Sequence, residues 1–452
     1  MKPFIDLTCF EKKIRAIDLY RMILDLDIIR SHNGSIFLHS CYNYWKCIVK
    51  NEEHLYIRKL LFDNSQDQVT NEMINEVLQR LKTNPSIQHD FSANPYENLM
   101  NVLNGVYNTS LQTLLEYRKE YYFTYILSFN YLNKERSSPS FDKFTQISLK
   151  CDVNPSKVKL LLQILGYALS DLQGAKVAFF LIGESNSGKS VLLKMISEIL
   201  DDDLISRVPF SMIDQRFNIS QLQGKKLNIC DEVSCSKIKN SDLFKSIVSG
   251  EKIQAERKGR DPFNFTVKAK LLSAGNTLPI FGSVDGTDSV SNRLIVLKFG
   301  QSVGKEDWDL ELVNKLVKEK DSIISNAVDE LKELQIKNFE FTIPDDSQRA
   351  INEYRRNQNS LTEFLNTSCI LESKQRIHKC ALWTNYLEFC QENGYERLLT
   401  QMQFNQKICS LPYIESGRFR MDNRNVAGWY GIGIREMDFI GTVGTGGTDE
   451  RK

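Results

Sequence analysis

The 452-residue chain lacks several features that would narrow its chemistry at once. Its ten cysteines (Cys9, Cys41, Cys47, Cys151, Cys230, Cys235, Cys369, Cys380, Cys390, Cys409) include no C-x-x-C pair, and its five histidines never fall in H-x-x-x-H spacing. That scatter fits neither a zinc site nor a disulfide framework and suits reduced thiols in a cytosolic compartment. Long apolar runs are missing too, including at the Met1-Lys-Pro-Phe-Ile-Asp-Leu-Thr start, so neither signal peptide nor membrane span is expected. Net charge is nearly absent: 58 Lys and Arg against 57 Asp and Glu leave +1. Any nucleic-acid contact must therefore come from local basic patches. With 25% charged and 41% hydrophobic residues the chain reads as globular, and its length implies two to four domains.

What is present centres on one stretch. Lys176-Val-Ala-Phe-Phe-Leu-Ile182 is a short apolar run of strand character, and Val191 to Leu200 carries apolar residues at helical spacing. Between them lies Gly183-Glu184-Ser185-Asn186-Ser187-Gly188-Lys189-Ser190, the G-x-x-x-x-G-K-S phosphate-binding loop in its strand–loop–helix setting. The glycines let successive N–H groups turn inward on an anion, at a positive helix end. Lys189 is expected on the β- and γ-phosphates of ATP, and Ser190 on Mg²⁺.

Downstream, Lys226-Leu-Asn-Ile-Cys230 reads as a buried strand ending in Asp231-Glu232. Carboxylates there are placed to hold Mg²⁺ through water (Asp231) and to polarise the attacking water (Glu232). A third strand, Ala269 to Asn276, ends in an amide that can approach the γ-phosphate without adding charge; a plain turn residue is the alternative. Arg293 precedes a fourth strand, Leu294–Phe299, where it suits a finger reaching a neighbouring subunit or a surface ion pair. Between the second and third strands, Glu251 to Val267 reads as a β-hairpin tipped by Arg257, Lys258 and Arg260. Such a tip suits phosphate contacts or is a solvated turn.

Ahead of the loop, Asp6–Ile29, Tyr42–Leu61 and Asn71–Leu81 carry helical spacing, Ser31–Gly34 a turn and Ser35–His39 a short strand. Residues 101–169 look mostly helical and rich in Tyr and Phe, an aromatic stripe read as core. Asp25 and Asp27 form a D-x-D that could mimic primase metal ligands; two solvated aspartates on a helix is the preferred reading.

Assembled, these residues resemble a superfamily 3 helicase of the phage and plasmid primase-helicase group, related to the poxvirus primase-helicase NTPase. The resemblance rests on the loop at 183–190, Cys230-Asp-Glu232, the basic hairpin, Ala274-Gly-Asn276 and Asn292-Arg293. It implies an α/β P-loop NTPase core of AAA+ type, with a helical N-terminal region and a C-terminal winged-helix domain. The expected boundaries are an α/β or winged-helix-like region at 1–100, a helical collar at 101–170, the ATPase at 171–345, a winged helix at 355–436 and a disordered tail at 437–452. By the same resemblance the hairpin grips DNA in a hexamer's channel through Lys258, helped by Arg257 and Arg260, and Arg293 acts in trans. Arg418, Arg420 and Arg424 could touch DNA phosphates or form a solvated hairpin. Relatives often carry a primase domain, for which this chain is too short, so priming is expected from a separate polypeptide or the host. The implied activity is an ATP- and Mg²⁺-dependent replicative DNA helicase. A non-translocating origin-binding or loading ATPase and a primase-associated NTPase are the rivals.

Overall fold

The computed structural model describes residues 14–60, 69–91, 96–213, 215–231, 237–238, 241–259, 261–281, 290–304, 306, 308–358, 360–395, 399–409, 411, 414–421 and 424–435. The chain forms two compact units, one of Met1–Ser283 with Asn292–Ala350 and one of Val284–Ser291 with Ile351–Lys452.

The first unit opens with α1 (Ala16–Asp25) and an antiparallel sheet of β1 (Ile29–His32), β2 (Ser35–His39) and β3 (Trp45–Cys47). Asn33 and Gly34, with φ of 49° and 74°, form the left-handed two-residue turn that matches strand twist. Next come α2 (Glu53–Lys59) and α3 (Asn71–Thr83), which bury Ile57, Ile74, Val77 and Leu81 against Leu19, Ile23 and Ile36. The helical spacing of 42–61 is therefore realised only from Glu53. Trp45 is instead drawn into the sheet, fully buried, its backbone N–H donating to the Phe123 carbonyl and Arg30 lying over its ring. Tertiary burial of the largest side chain overrides the local period.

The stretch expected to be helical from 101 begins as a second antiparallel sheet: β4 (Leu99–Val102), β5 (Gly105–Asn108) and β6 (Thr113–Leu115). Its strands are only three or four residues long, too short to show alternation. Gly105 makes the turn possible: its φ is 149°, and a Cβ there would lie 2.6 Å from the Leu115 carbonyl oxygen. After a single 3-10 turn at Lys119–Tyr121, α-helices follow at α4 (Pro139–Leu149) and α5 (Ser156–Leu169). The aromatic stripe is core as read: Phe123, Tyr125, Phe129 and Tyr131 are buried in the largest apolar cluster.

Next in chain order are β7 (Ala178–Ile182), α6 (Lys189–Ile199), β8 (Ile205–Ser206), α7 (Arg216–Ile219), β9 (Leu227–Cys230), β10 (Lys237–Ile238), α8 (Ser241–Val248), β11 (Lys252–Ala255), β12 (Phe263–Thr266), β13 (Lys270–Gly275), β14 (Ile280–Phe281) and β15 (Leu294–Lys298). Five of them make a wholly parallel sheet in the order β15-β7-β13-β9-β8. Its interior strands are near-continuous apolar runs, as a sheet covered on both faces requires. α9 (Leu312–Lys318) and α10 (Lys320–Ile336) close this unit. α10 packs so tightly on α5 that a Cβ on Gly166 would lie 2.1 Å from the Ala327 oxygen.

The amino edge of the sheet is locked by a buried polar group. Asp171, just after α5, accepts from Lys226 Nζ at 2.5 Å and from the Tyr125 hydroxyl at 2.7 Å, while Lys270 Nζ donates to the Ser170 carbonyl at 2.6 Å. Lys226 precedes β9 and Lys270 opens β13. Burial, with Lys226 alongside, brings the Lys270 ammonium down to about 7.

α11 (Asp345–Gln358) leads to the second unit. There α12 (Ser360–Ser368), β16 (Cys369–Ile370), β17 (Arg376–His378), α13 (Lys379–Glu392), α14 (Gln401–Cys409), β18 (Glu415–Met421), β19 (Arg424–Tyr430) and β20 (Gly433–Ile434) succeed one another. β17-β19-β18 form an antiparallel sheet over Phe364, Tyr386, Phe404 and Trp429. The second hairpin strand begins at Arg424, and β20 after it pairs separately with β16.

Among the described residues no helix is long and apolar enough to cross a membrane. The tail at 437–452, Glu232, Arg260 and most of the polar loop before Arg293 lie outside the described residues.

Candidate nucleotide-binding site

β7 ends at Ile182, and the chain curls through residues 183–188 into α6, which starts at Lys189. Two left-handed residues make the curl, Asn186 at φ 60° and Gly188 at φ 101°. Both flanking glycines are also sterically required. A Cβ on Gly183 would meet Phe299 Cβ at 2.7 Å, and one on Gly188 would meet Ser148 Oγ at 2.4 Å and Phe144 Cε2 at 2.9 Å. Lys189 is buried and reaches back across the loop, donating to the Gly183 carbonyl at 2.8 Å, the Glu184 carbonyl at 2.5 Å and Ser187 Oγ at 3.3 Å. Burial holds its ammonium below the ordinary lysine pKa, with Asp231 pulling the other way.

Asp231 is exposed just beyond β9, and Ser190 Oγ donates to its Oδ1 at 2.9 Å. β13 lies between β7 and β9 and ends at Gly275, whose carbonyl accepts from the Gly183 N–H at 3.3 Å. Asn276 is next and exposed. The loop, Asp231 and Asn276 thus share the carboxyl edge of one parallel sheet, where open α/β sheets bind ligands.

Residues that the sequence did not single out hold the loop in place. After β15, Phe299 N–H donates to the Ile182 carbonyl at 2.7 Å and Gly300 N–H to the Ser148 carbonyl at 2.7 Å. Ser302 N–H donates to Glu184 Oε2 at 3.0 Å, and Val303 N–H to the Asn186 carbonyl at 3.1 Å. These are backbone donors, which leave no residue-type signature.

Arg293 occupies the opposite edge. Its carbonyl accepts from Ala178 N–H at 2.8 Å, and Leu294 pairs with Ala178 at the start of β7. A strand of five residues, roughly 16 Å, separates it from its own loop.

The hairpin is β11 and β12, in register from Lys252↔Thr266 to Ala255↔Phe263. Arg257 is tied back, its Nη2 donating to Gln223 Oε1 at 2.6 Å and its guanidinium 5.0 Å from the Phe263 ring centre. Lys258 stands exposed beside Gly259 (φ 72°). Asp27 is held by Arg30 at 2.8 Å and by Lys119, and both cations keep its carboxyl below the usual range. Among the described residues no group of three or more His, Cys, Asp or Glu is arranged to hold a metal. Arg418 and Arg420 are exposed on β18.

A parallel sheet with a glycine-bounded loop, a buried lysine across it and a serine–aspartate pair at its carboxyl edge fits a P-loop NTPase core. Comparison with known proteins makes the class more particular. Residues 27–147 match the family described as D5 N terminal like and residues 356–430 that described as Poxvirus D5 protein-like. Residues 181–293, which hold the loop, match a family of unknown function, DUF5906. The chain is therefore similar to D5-like proteins on both flanks of its P-loop segment, which supports a likeness to the D5-type superfamily 3 helicase group. Among solved structures, two apo forms of the NrS-1 C-terminal region are similar to it. One, the A form, has 13% identity over 93% of this chain and 100% of that one, at a TM-score of 0.48. The other has 13% identity over 93% and 100%, at a TM-score of 0.49.

Proposed function

We propose that the protein is an ATP-driven DNA helicase that works as a ring, six copies by resemblance, in replicating a phage, plasmid or other mobile element. The observation that carries this is the Ser190–Asp231 hydrogen bond at the edge where Lys189 closes the loop. Two hard oxygen donors already side by side and open to solvent fit Mg²⁺, which prefers a few oxygens plus waters and phosphate. Ser190 and Asp231 would hold the ion, which would supply charge neutralisation for the triphosphate. Lys189 exchanges the Gly183 and Glu184 carbonyls for phosphate oxygens, and the loop N–H groups and the α6 amino end bind the remaining charge. Asn276, uncharged, orients the γ-phosphate or the water, and Glu232 polarises that water.

Arg293 lies too far from its own loop to complete that site, which favours a role in a neighbour's. Lys258 at the hairpin tip, with Arg260, takes DNA phosphates, while Arg257 braces the hairpin. The second unit acts as a winged helix, with α14 and the β18–β19 hairpin presenting Arg418 and Arg420 to DNA; the side chain of Arg424, the third candidate there, lies outside the described residues.

The test mixes two variants. Lys189→Ala and Arg293→Ala should each be inactive alone. Mixed, they should regain DNA-stimulated ATP hydrolysis, because some seams then pair an intact loop with an intact arginine. A particle that remains a single copy with nucleotide and DNA present, yet hydrolyses ATP at full rate, overturns the ring reading.

A further inference from the structure

We propose that Trp308 is the platform on which the nucleotide's base stacks, so that base recognition is supplied by the segment following β15. The inference rests on the loop at 183–190 binding a nucleoside triphosphate. That loop accounts for phosphates and says nothing about the base.

Trp308 is the one exposed tryptophan of the four: 46% exposed, against 0% for Trp45 and 1% for Trp429, with Trp383 half-buried. An indole in that state leaves apolar area in water that burial would stabilise. It is also fixed in place. Its Nε1 donates to the Val303 carbonyl at 3.1 Å, and the Val303 N–H donates to the Asn186 carbonyl at 3.1 Å. Two hydrogen bonds through a single residue therefore tie the indole to the phosphate loop. Ser302 N–H on Glu184 and Gly300 N–H on the Ser148 carbonyl secure the same segment on either side of the loop. With its N–H used for anchorage, the ring has its π-face to offer. A π-face accepts any base without reading its edge, so the platform favours nucleotides over bare phosphate while discriminating little among bases.

The experiment uses the full chain and two probes, ATP and inorganic tripolyphosphate, each titrated against a fluorescent nucleotide with Mg²⁺ present. Trp308→Ala should weaken ATP about tenfold to a hundredfold, the range base–aromatic stacking supplies, and leave tripolyphosphate unchanged. Trp308→Phe should restore most of the loss. ATP, but not tripolyphosphate, should quench fluorescence that Trp308→Phe removes. Equal weakening of both probes, or no weakening of ATP in a variant of unaltered particle mass, overturns the platform. Failure of the wild type to bind either probe would instead overturn the phosphate-loop reading.

Discussion

Gly188→Ala tests the phosphate loop most sharply. The residue sits at φ 101°, outside even the small left-handed region open to L side chains, at a cost of ~1–3 kcal/mol for a non-glycine. The added methyl would also lie 2.4 Å from Ser148 Oγ and 2.9 Å from Phe144 Cε2, both buried. Overpacking of that kind costs a further ~1–3 kcal/mol. The loop should relieve the sum, roughly 2–6 kcal/mol, by flattening, which turns its N–H groups away from the phosphates. Nucleotide affinity, read by displacement of a fluorescent analogue, should fall at least tenfold, and the melting midpoint should drop. Adding Ser148→Ala removes the nearer contact but not the backbone strain, so the double variant should recover part of the stability. A Gly188→Ala protein that melts like wild type and binds nucleotide within twofold would refute the conformation given to this loop.

Two further outcomes follow from the geometry. Lys258→Ala should keep basal ATP hydrolysis and lose strand displacement, whereas Lys189→Ala loses both; an unwinding-competent Lys258→Ala would remove the hairpin from the mechanism. Lys270 has a folded pKa of about 7 against an ordinary 10.5, so the unfolded chain binds more protons between those values and stability should rise across that interval. Below pH 7 the full cost of the buried charge applies, and Lys270→Met should flatten this dependence in denaturant titrations at pH 7 and 9.5.

The phosphate loop was legible because its information is local: apolar strand, glycines at fixed offsets, helix. Strands β9, β13 and β15 were legible for a similar reason, being continuous apolar runs beside it. The sheet at 99–115 was not, because three-residue strands carry no period and Gly105 declares its turn only through a contact with Leu115. Trp45 fits a helical stripe by spacing and a strand by packing, and packing with Phe123 and Arg30 decided. Arg257 reads like Lys258 in sequence; only Gln223 and Phe263, distant or across the turn, set the two apart. The brace formed by residues 299–303 consists of main-chain donors and is invisible to residue identity.

The anchorage of Lys226 and Lys270 around Asp171 has a mechanical consequence. It pins the roots of the two strands whose tips lead into Asp231 and Asn276. On the proposed reading, nucleotide is met at the free ends of strands already anchored at their base.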